Sequence, residues 1–268
     1  MIIKTNNYLQ ENTYLKDFIM KKILILCLLI LNTNHSFGLH DKKEQKSNKP
    51  AKWISLFDGK TFDGWHQFNK SEMSPSWYIE NGEMIFDPKL TRKKSLFSKR
   101  EQSHNIVTER EFKNFELSLE WKISRKGNSG IFWAVKEGGY EMPYQTGPEI
   151  QVLDNKRHRD AFINPKFHQA GALYDLVQPT RDVCNPAGEW NHVLIYINHN
   201  TNEGIVKLND FEIVTFPLSG PEWDSLVSNS KFGNDDEFRD FGKFKTGKIG
   251  LQDHGDKVSY RNIKIREL

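Results

Sequence analysis

The segment NFELSLEWKIS, residues 114 to 124, alternates without a fault. Phe115, Leu117, Leu119, Trp121 and Ile123 leave one side of an extended chain, and Glu116, Ser118, Glu120 and Lys122 leave the other. A helical period of 3.6 would scatter those apolar groups around a cylinder, so the segment reads as a half-buried antiparallel strand with Trp121 in the core. It needs a second layer to cover its apolar face, and the rest of the chain supplies more of the same. SWYIENGEMIF places Asn81-Gly82 between two apolar runs, the strongest short hairpin signal, and GIVKLNDFEIVTF places Asn209-Asp210 the same way. GIFWAV, PEIQVLD, GALYDLV, EWNHVLIYIN, GKIGLQDHG and VSYRNIKIREL read as further strands. Only SGPEWDSLVSNSKF reads as a helix, with Pro221 early, Glu222 and Asp224 in the first turn and Lys231 near the end to complement the dipole. The fold class that follows is all-β: a sandwich of two antiparallel sheets with one short helical insertion.

Ahead of the strands, Met20 is followed by two lysines and nine apolar residues from Ile23 to Leu31, then a polar stretch ending at Gly38. This predicts a secretory signal peptide within residues 1–38, with translation starting at Met20 and cleavage after Gly38. The run falls short of the roughly 20 apolar residues of a permanent span, so no membrane attachment is expected after cleavage. Cys27 lies inside the run rather than after it, which disfavours a lipid anchor. Residues 39–52 are charged and aperiodic and read as a tether, and residues 53–268 as one domain beginning at Trp53. Cleavage would leave Cys184 alone, an idle thiol that cannot form an internal disulfide. With 38 basic against 35 acidic residues and no basic stripe, nucleic acid is not an expected partner.

Function is sought where polar groups share a strand face with no need to. In TGPEIQVLDN, Glu149 and Gln151 leave one side while Ile150 and Val152 leave the other. KIGLQDHG repeats the device, with Ile249 and Leu251 inward and Gln252 and His254 outward, beside Asp253. FHQAGALYDLV adds His168 and Tyr174, and RKGNSGIFW adds a glycine-bounded Asn128-Ser129 turn able to orient a polar ligand. Tyr144, with Tyr140, lies in a Gly-rich loop where a ring can stack on a sugar or join the core. No zinc or calcium signature is present; a divalent ion on Glu149, Asp154, His168 or His254 is open but not implied by spacing.

WISLFDGKTFDGWH, GNSGIFW, GPEIQVLDN, HQAGALYDLV, PAGEWNHVLIYI and GKIGLQDHGDKVSYRNIKIREL, in that order, resemble the bacterial 3-keto-disaccharide hydrolase family from about Trp53 to Leu268. The resemblance implies a concanavalin-like jelly roll and cleavage of glycosides already oxidised at C3 by a separate oxidoreductase. A ketone at C3 acidifies the C2 proton, so a base, a holder for the enolate oxygen and an acid for the leaving oxygen suffice. Glu149 and His254 are the expected proton-transfer pair, either of them the base. Gln151, Asn128 or a metal would hold the oxyanion, and Asp154, His168, Asp253 and Arg261 would bind or orient. Two other readings stand beside it: a retaining glycosidase with paired carboxylates, and a lectin-like module without turnover. Glu149 and Asp154, an odd number of positions apart, point to opposite faces of a regular strand, which weighs against the former.

Overall fold

The computed structural model describes residues 51–90, 103–163, 166–233 and 235–268. The expected signal peptide and most of the tether lie outside the described residues. A large sheet is built from β1 (Ile54–Ser55), β3 (Trp77–Glu80), β4 (Glu83–Phe86), β6 (Phe115–Ile123), β9 (Asn191–Asn198), β10 (Glu203–Leu208), β11 (Phe211–Phe216) and β13 (Val258–Glu267). Its order is β11-β10-β9-β6-β13-β4-β3, with β1 also pairing β13. A small sheet runs β2 (Trp65–Gln67), β5 (Ile106–Phe112), β12 (Gly247–Leu251), β7 (Asn128–Val135) and β8 (Glu149–Leu153). The pairings within both sheets are antiparallel, so the two-layer sandwich expected from alternation is what forms.

Alternation decides which face is dry. Leu117, Leu119, Trp121 and Ile123 of β6 are at most 1% exposed and meet Ile131, Ile150, Val152, Ile249 and Leu251 from the small sheet in one core. Each large apolar side chain so buried contributes about 1.5–3 kcal/mol of transfer free energy. Both hairpin signals hold: Asn81 and Gly82 have φ of 52° and 76°, and Asn209 and Asp210 of 48° and 68°. Positive φ at both central residues is what a type I′ turn requires.

Three local expectations are corrected. GALYDLV is not a strand but a set of turns with isolated bridges from Leu173 to Ile150 and Val177, because Gly171 and Asp175 adopt φ of 84° and 62° and break the extended chain. Asn128 and Ser129 are not a turn but the first residues of β7; the turn comes earlier, where the Gly127 N–H donates to Ser124 O at 2.9 Å. The insertion is helical only over α2 (Pro221–Ser228), after α1 (Asp160–Ile163) in chain order, and Lys231 lies beyond its end in a 3-10 turn.

On the outer face of the small sheet, one end is filled. Phe68, Val107, Phe132 and Val135 form a separate buried cluster against which Tyr140 and Tyr144 pack. Tyr140 donates its hydroxyl to Asp240 at 2.9 Å and Tyr144 tilts against Phe238 at 6.2 Å, both partners coming from the segment between α2 and β12. Tyr144 is therefore packing rather than an open stacking platform. The other end of that face, where β7, β8 and β12 meet, holds the polar groups.

Candidate active site

Glycine 130 sets the geometry. It lies on β7 opposite Gln151 of β8, and a Cβ placed on it would stand 2.0 Å from Glu149 Oε1. The Glu149 carboxyl thus lies across a position of the sheet that has no side chain. From the other side, the Gln252 N–H donates to Gly130 O at 2.9 Å, and Gln252 Nε2 donates to Glu149 Oε2 at 3.3 Å. Beneath them, Ser129 Oγ points into the core, donating to Gln252 O at 2.7 Å and meeting the Tyr260 hydroxyl of the large sheet at 2.8 Å.

Electrostatics distinguish this cluster. Burial pushes the Glu149 carboxyl up to about 8, against the pull of the Lys231 charge and the Gln252 hydrogen bond. Lys231 Nζ stands 4.2 Å from the centre of the Tyr174 ring, a cation–π contact. Loss of water around that ammonium lowers its pKa, while Glu149, Asp175 and Asp160 oppose the shift. Asp175 anchors the arrangement: one oxygen accepts the Lys231 N–H at 2.8 Å and the other lies 3.1 Å from His168 Nε2. The His168 ring stacks on Tyr174 at 4.6 Å. Burial alone would raise the Asp175 pKa, but these contacts hold it below its ordinary value. Burial likewise raises the Tyr174 phenol.

His254 enters from the segment after β12. Its ring is exposed at the rim, 6.3 Å from that of His158, yet the protein crowding it lowers its pKa, with Asp256 and Asp160 opposing and His158 and Lys231 adding to the shift. Lys231 therefore acts on both Glu149 and His254, so the glutamate of β8 and the histidine after β12 share one electrostatic neighbourhood. Burial thus moves the two groups in opposite senses, favouring the protonated carboxyl of Glu149 and the uncharged ring of His254. Environments that push two groups apart in this sense provide an acid and a base.

Asn128, 3% exposed, donates Nδ2 to Asp160 at 3.2 Å and its backbone N–H to Asp256 at 3.1 Å. Gln151 keeps its Oε1 on the Val152 N–H at 3.1 Å. Four expected site residues lie elsewhere or serve the frame. Arg261 is on β13 of the large sheet, paired with Glu120 at 2.5 Å and stacked over Trp190 at 3.9 Å, because its neighbour Tyr260 takes the inward position. Asp154 caps the turns flanking β7 and β8, accepting the Lys126 N–H at 2.9 Å and the Lys156 N–H at 3.3 Å. That engagement removes it from any retaining pair with Glu149. Asp253, raised to about 7 by burial, accepts the His104 N–H at 2.6 Å and so fixes the segment that carries His254. His168 holds Asp175 and Tyr174 rather than facing Glu149. With Asp154 and His168 so occupied, the four candidate metal ligands do not converge, and no metal-holding group of three or more His, Cys, Asp or Glu occurs among the described residues.

The sequence reading missed Lys231, which it spent on a helix dipole, and Gly130. Cys184 is as expected an unreactive thiol, raised to about 12 by burial. Two open grooves, of about 510 Å³ along the insertion and about 460 Å³ on the outer face of the large sheet, are not lined by Glu149. The site is marked by its chemistry rather than by volume.

Residues 52–266 match the model of the 3-keto-alpha-glucoside-1,2-lyase-like domain. The chain belongs to that family. It is 34% identical over 233 residues to a 3-keto-disaccharide hydrolase of Bacteroides thetaiotaomicron, covering 81% of this chain and 78% of the relative. Among solved structures, a glycosyl hydrolase candidate from Parabacteroides distasonis superposes with a TM-score of 0.69 at 30% identity, covering 81% of this chain and 94% of that one. A second from the same organism gives 0.57 at 25% identity, over 81% and 100%. The jelly-roll sandwich is thus common to this chain and its family.

Proposed function

We propose that the protein cleaves glycosides whose sugar carries a ketone at C3, by proton abstraction at C2, elimination and hydration. The observation that carries this is the buried carboxyl of Glu149, hydrogen-bonded to Gln252 and pushed up to about 8 by burial, in the electrostatic neighbourhood of Lys231, which also acts on His254. His254 takes the C2 proton, and the electrons of that C–H bond pass toward C3, placing negative charge on the ketone oxygen beside Lys231. Collapse of the enolate breaks the bond from C1 to the glycosidic oxygen, which receives the proton of Glu149. Water then adds to C1, giving its proton to the Glu149 carboxylate while His254 returns one to C2. Both groups regain their starting states. The 34% identity to a protein named as a 3-keto-disaccharide hydrolase supports the substrate class. The ketone has to come from an oxidoreductase acting at C3, and the signal-like segment supports a periplasmic or secreted site for the pair.

The test is incubation of the purified protein with a 3-keto-glucoside and the parent glucoside in deuterated water. Turnover of the keto form alone, with deuterium retained at C2, is expected; cleavage of the unoxidised glucoside, or of neither, ends the proposal. Gly130→Ala has room in its backbone conformation but none in front of it, so it displaces the Glu149 carboxyl. Steady-state kinetics on the keto-glucoside should show a loss of about 100-fold in kcat/KM, the scale for moving a reacting group by an ångström. Arg261→Ala, on the far sheet, should leave kcat/KM within about twofold and lower stability by about 1 kcal/mol or less in denaturant titration, as expected for a partly exposed ion pair.

A further inference from the structure

Three amides surround Gly130, and each uses one end while the other has no partner. Asn128 donates Nδ2 to Asp160, Gln252 donates Nε2 to Glu149, and Gln151 accepts the Val152 N–H on Oε1. These bonds fix which way each amide is turned. They leave Asn128 Oδ1, Gln252 Oε1 and Gln151 Nε2 buried and unbonded. The residues are 3%, 8% and 1% exposed, and a buried polar atom without a partner costs about 1–3 kcal/mol. Natural proteins leave few such atoms, yet three stand around one glycine beside the reactive carboxyl. The pattern is two acceptors and one donor.

That pattern is the complement of a ketone between two hydroxyls. A hydroxyl can donate to an amide oxygen, whereas a ketone can only accept. We infer, resting on the function proposed above, that Gln252 Oε1 takes the C2 hydroxyl, Asn128 Oδ1 the C4 hydroxyl and Gln151 Nε2 the C3 ketone of the sugar. Gln252 is assigned to C2 because it is hydrogen-bonded to Glu149, whose proton goes to the oxygen on the neighbouring C1. Gln151 stands opposite Gly130 in register, with Gln252 bonded to that glycine from the other side and Asn128 two residues along β7. The donor thus shares one small patch with both acceptors. It adds a neutral hydrogen bond to the charge of Lys231 at the oxygen that becomes the enolate. The trio specifies a ring with free hydroxyls on both sides of the ketone.

The experiment compares a 3-keto-glucoside with its 2-deoxy and 4-deoxy analogues in the parent protein, Gln252→Met, Asn128→Ala and Gln151→Met. In the parent each missing hydroxyl should lower kcat/KM by about 10- to 100-fold, since a buried acceptor is left empty. The 2-deoxy penalty should shrink below about threefold in Gln252→Met while the 4-deoxy penalty stays, and the reverse should hold in Asn128→Ala. In Gln151→Met overall turnover falls and both penalties persist. Reading each penalty within one variant removes the intrinsic effect of deoxygenation and any general loss of activity. Should a variant fail to fold, the parent comparison decides alone: deoxy analogues turned over as fast as the full sugar overturn the inference. Penalties unchanged by the substitutions overturn it as well. A parent protein without turnover of any keto sugar overturns the function proposed above, and the inference with it.

Discussion

Glu149→Gln is expected to lose about 10³-fold in kcat/KM on a 3-keto-disaccharide, within the usual range for removing a general acid. The loss should be small on a 3-keto-glucoside bearing a nitrophenyl group, which leaves without being protonated. Equal losses on both would exclude the acid role. The parent profile of kcat/KM should be a bell, rising below pH 6.5 as His254 gives up its proton and falling near pH 8 as Glu149 gives up its own. In the glutamine variant the falling limb should vanish and the rising limb stay.

The same substitution should stabilise the fold. Glu149 has a folded pKa of about 8 against an ordinary 4.5, so the unfolded chain releases its proton first as pH rises. Its contribution to stability is full below about pH 4.5, declines across the window up to pH 8 and is lost above it. At roughly 1.4 kcal/mol per pH unit, the variant should gain on the order of 3–5 kcal/mol at pH 9. That corresponds to a rise in Tm on the order of 10 °C. Glutamine retains an acceptor for Gln252, so that hydrogen bond is kept. Melting curves at pH 4 and pH 9 check this: a difference at pH 9 that disappears at pH 4 is the expected signature.

Lys231→Met is the second large effect. It removes the cation beside the developing enolate and should cost about 10²–10³ in kcat/KM, mostly in kcat. Because Lys231 pulls the Glu149 pKa down, its removal should also move the falling limb of the pH profile above 8. A lysine that merely packed on Tyr174 would be replaced by methionine with little loss of kcat, so the size of the kcat loss separates the two roles.

Most of the sandwich was legible because its determinants are local. The alternation of β6 and the two Asn-Gly and Asn-Asp turns dictate strands and hairpins within a few residues. The pairing of Glu149 with Gln252 was also legible, because parity on β8 and at the end of β12 buries the apolar neighbours and leaves these two on one face. Lys231 was not, since its meaning depends on where the chain goes after α2 and on Asp175, 56 residues earlier. Gly130 was invisible for a related reason: what makes it necessary is a carboxyl arriving from the adjacent strand. Asp154, Asp253 and Arg261 have the right chemistry, but each is consumed by backbone amides or by a partner that no linear pattern reveals.

The hydroxyl contact between Ser129 and Tyr260 ties the floor of the candidate site to the opposite sheet. That contact is buried between the layers, so removing the Ser129 hydroxyl would take a hydrogen-bond partner from Tyr260 in the core. The turn beyond α2 is held at Lys231 by its amide on Asp175 and its ammonium on Tyr174. The side chain proposed to steady the enolate thus belongs to the residue that ties this turn to Asp175 and Tyr174, so its replacement touches the local frame as well as the charge.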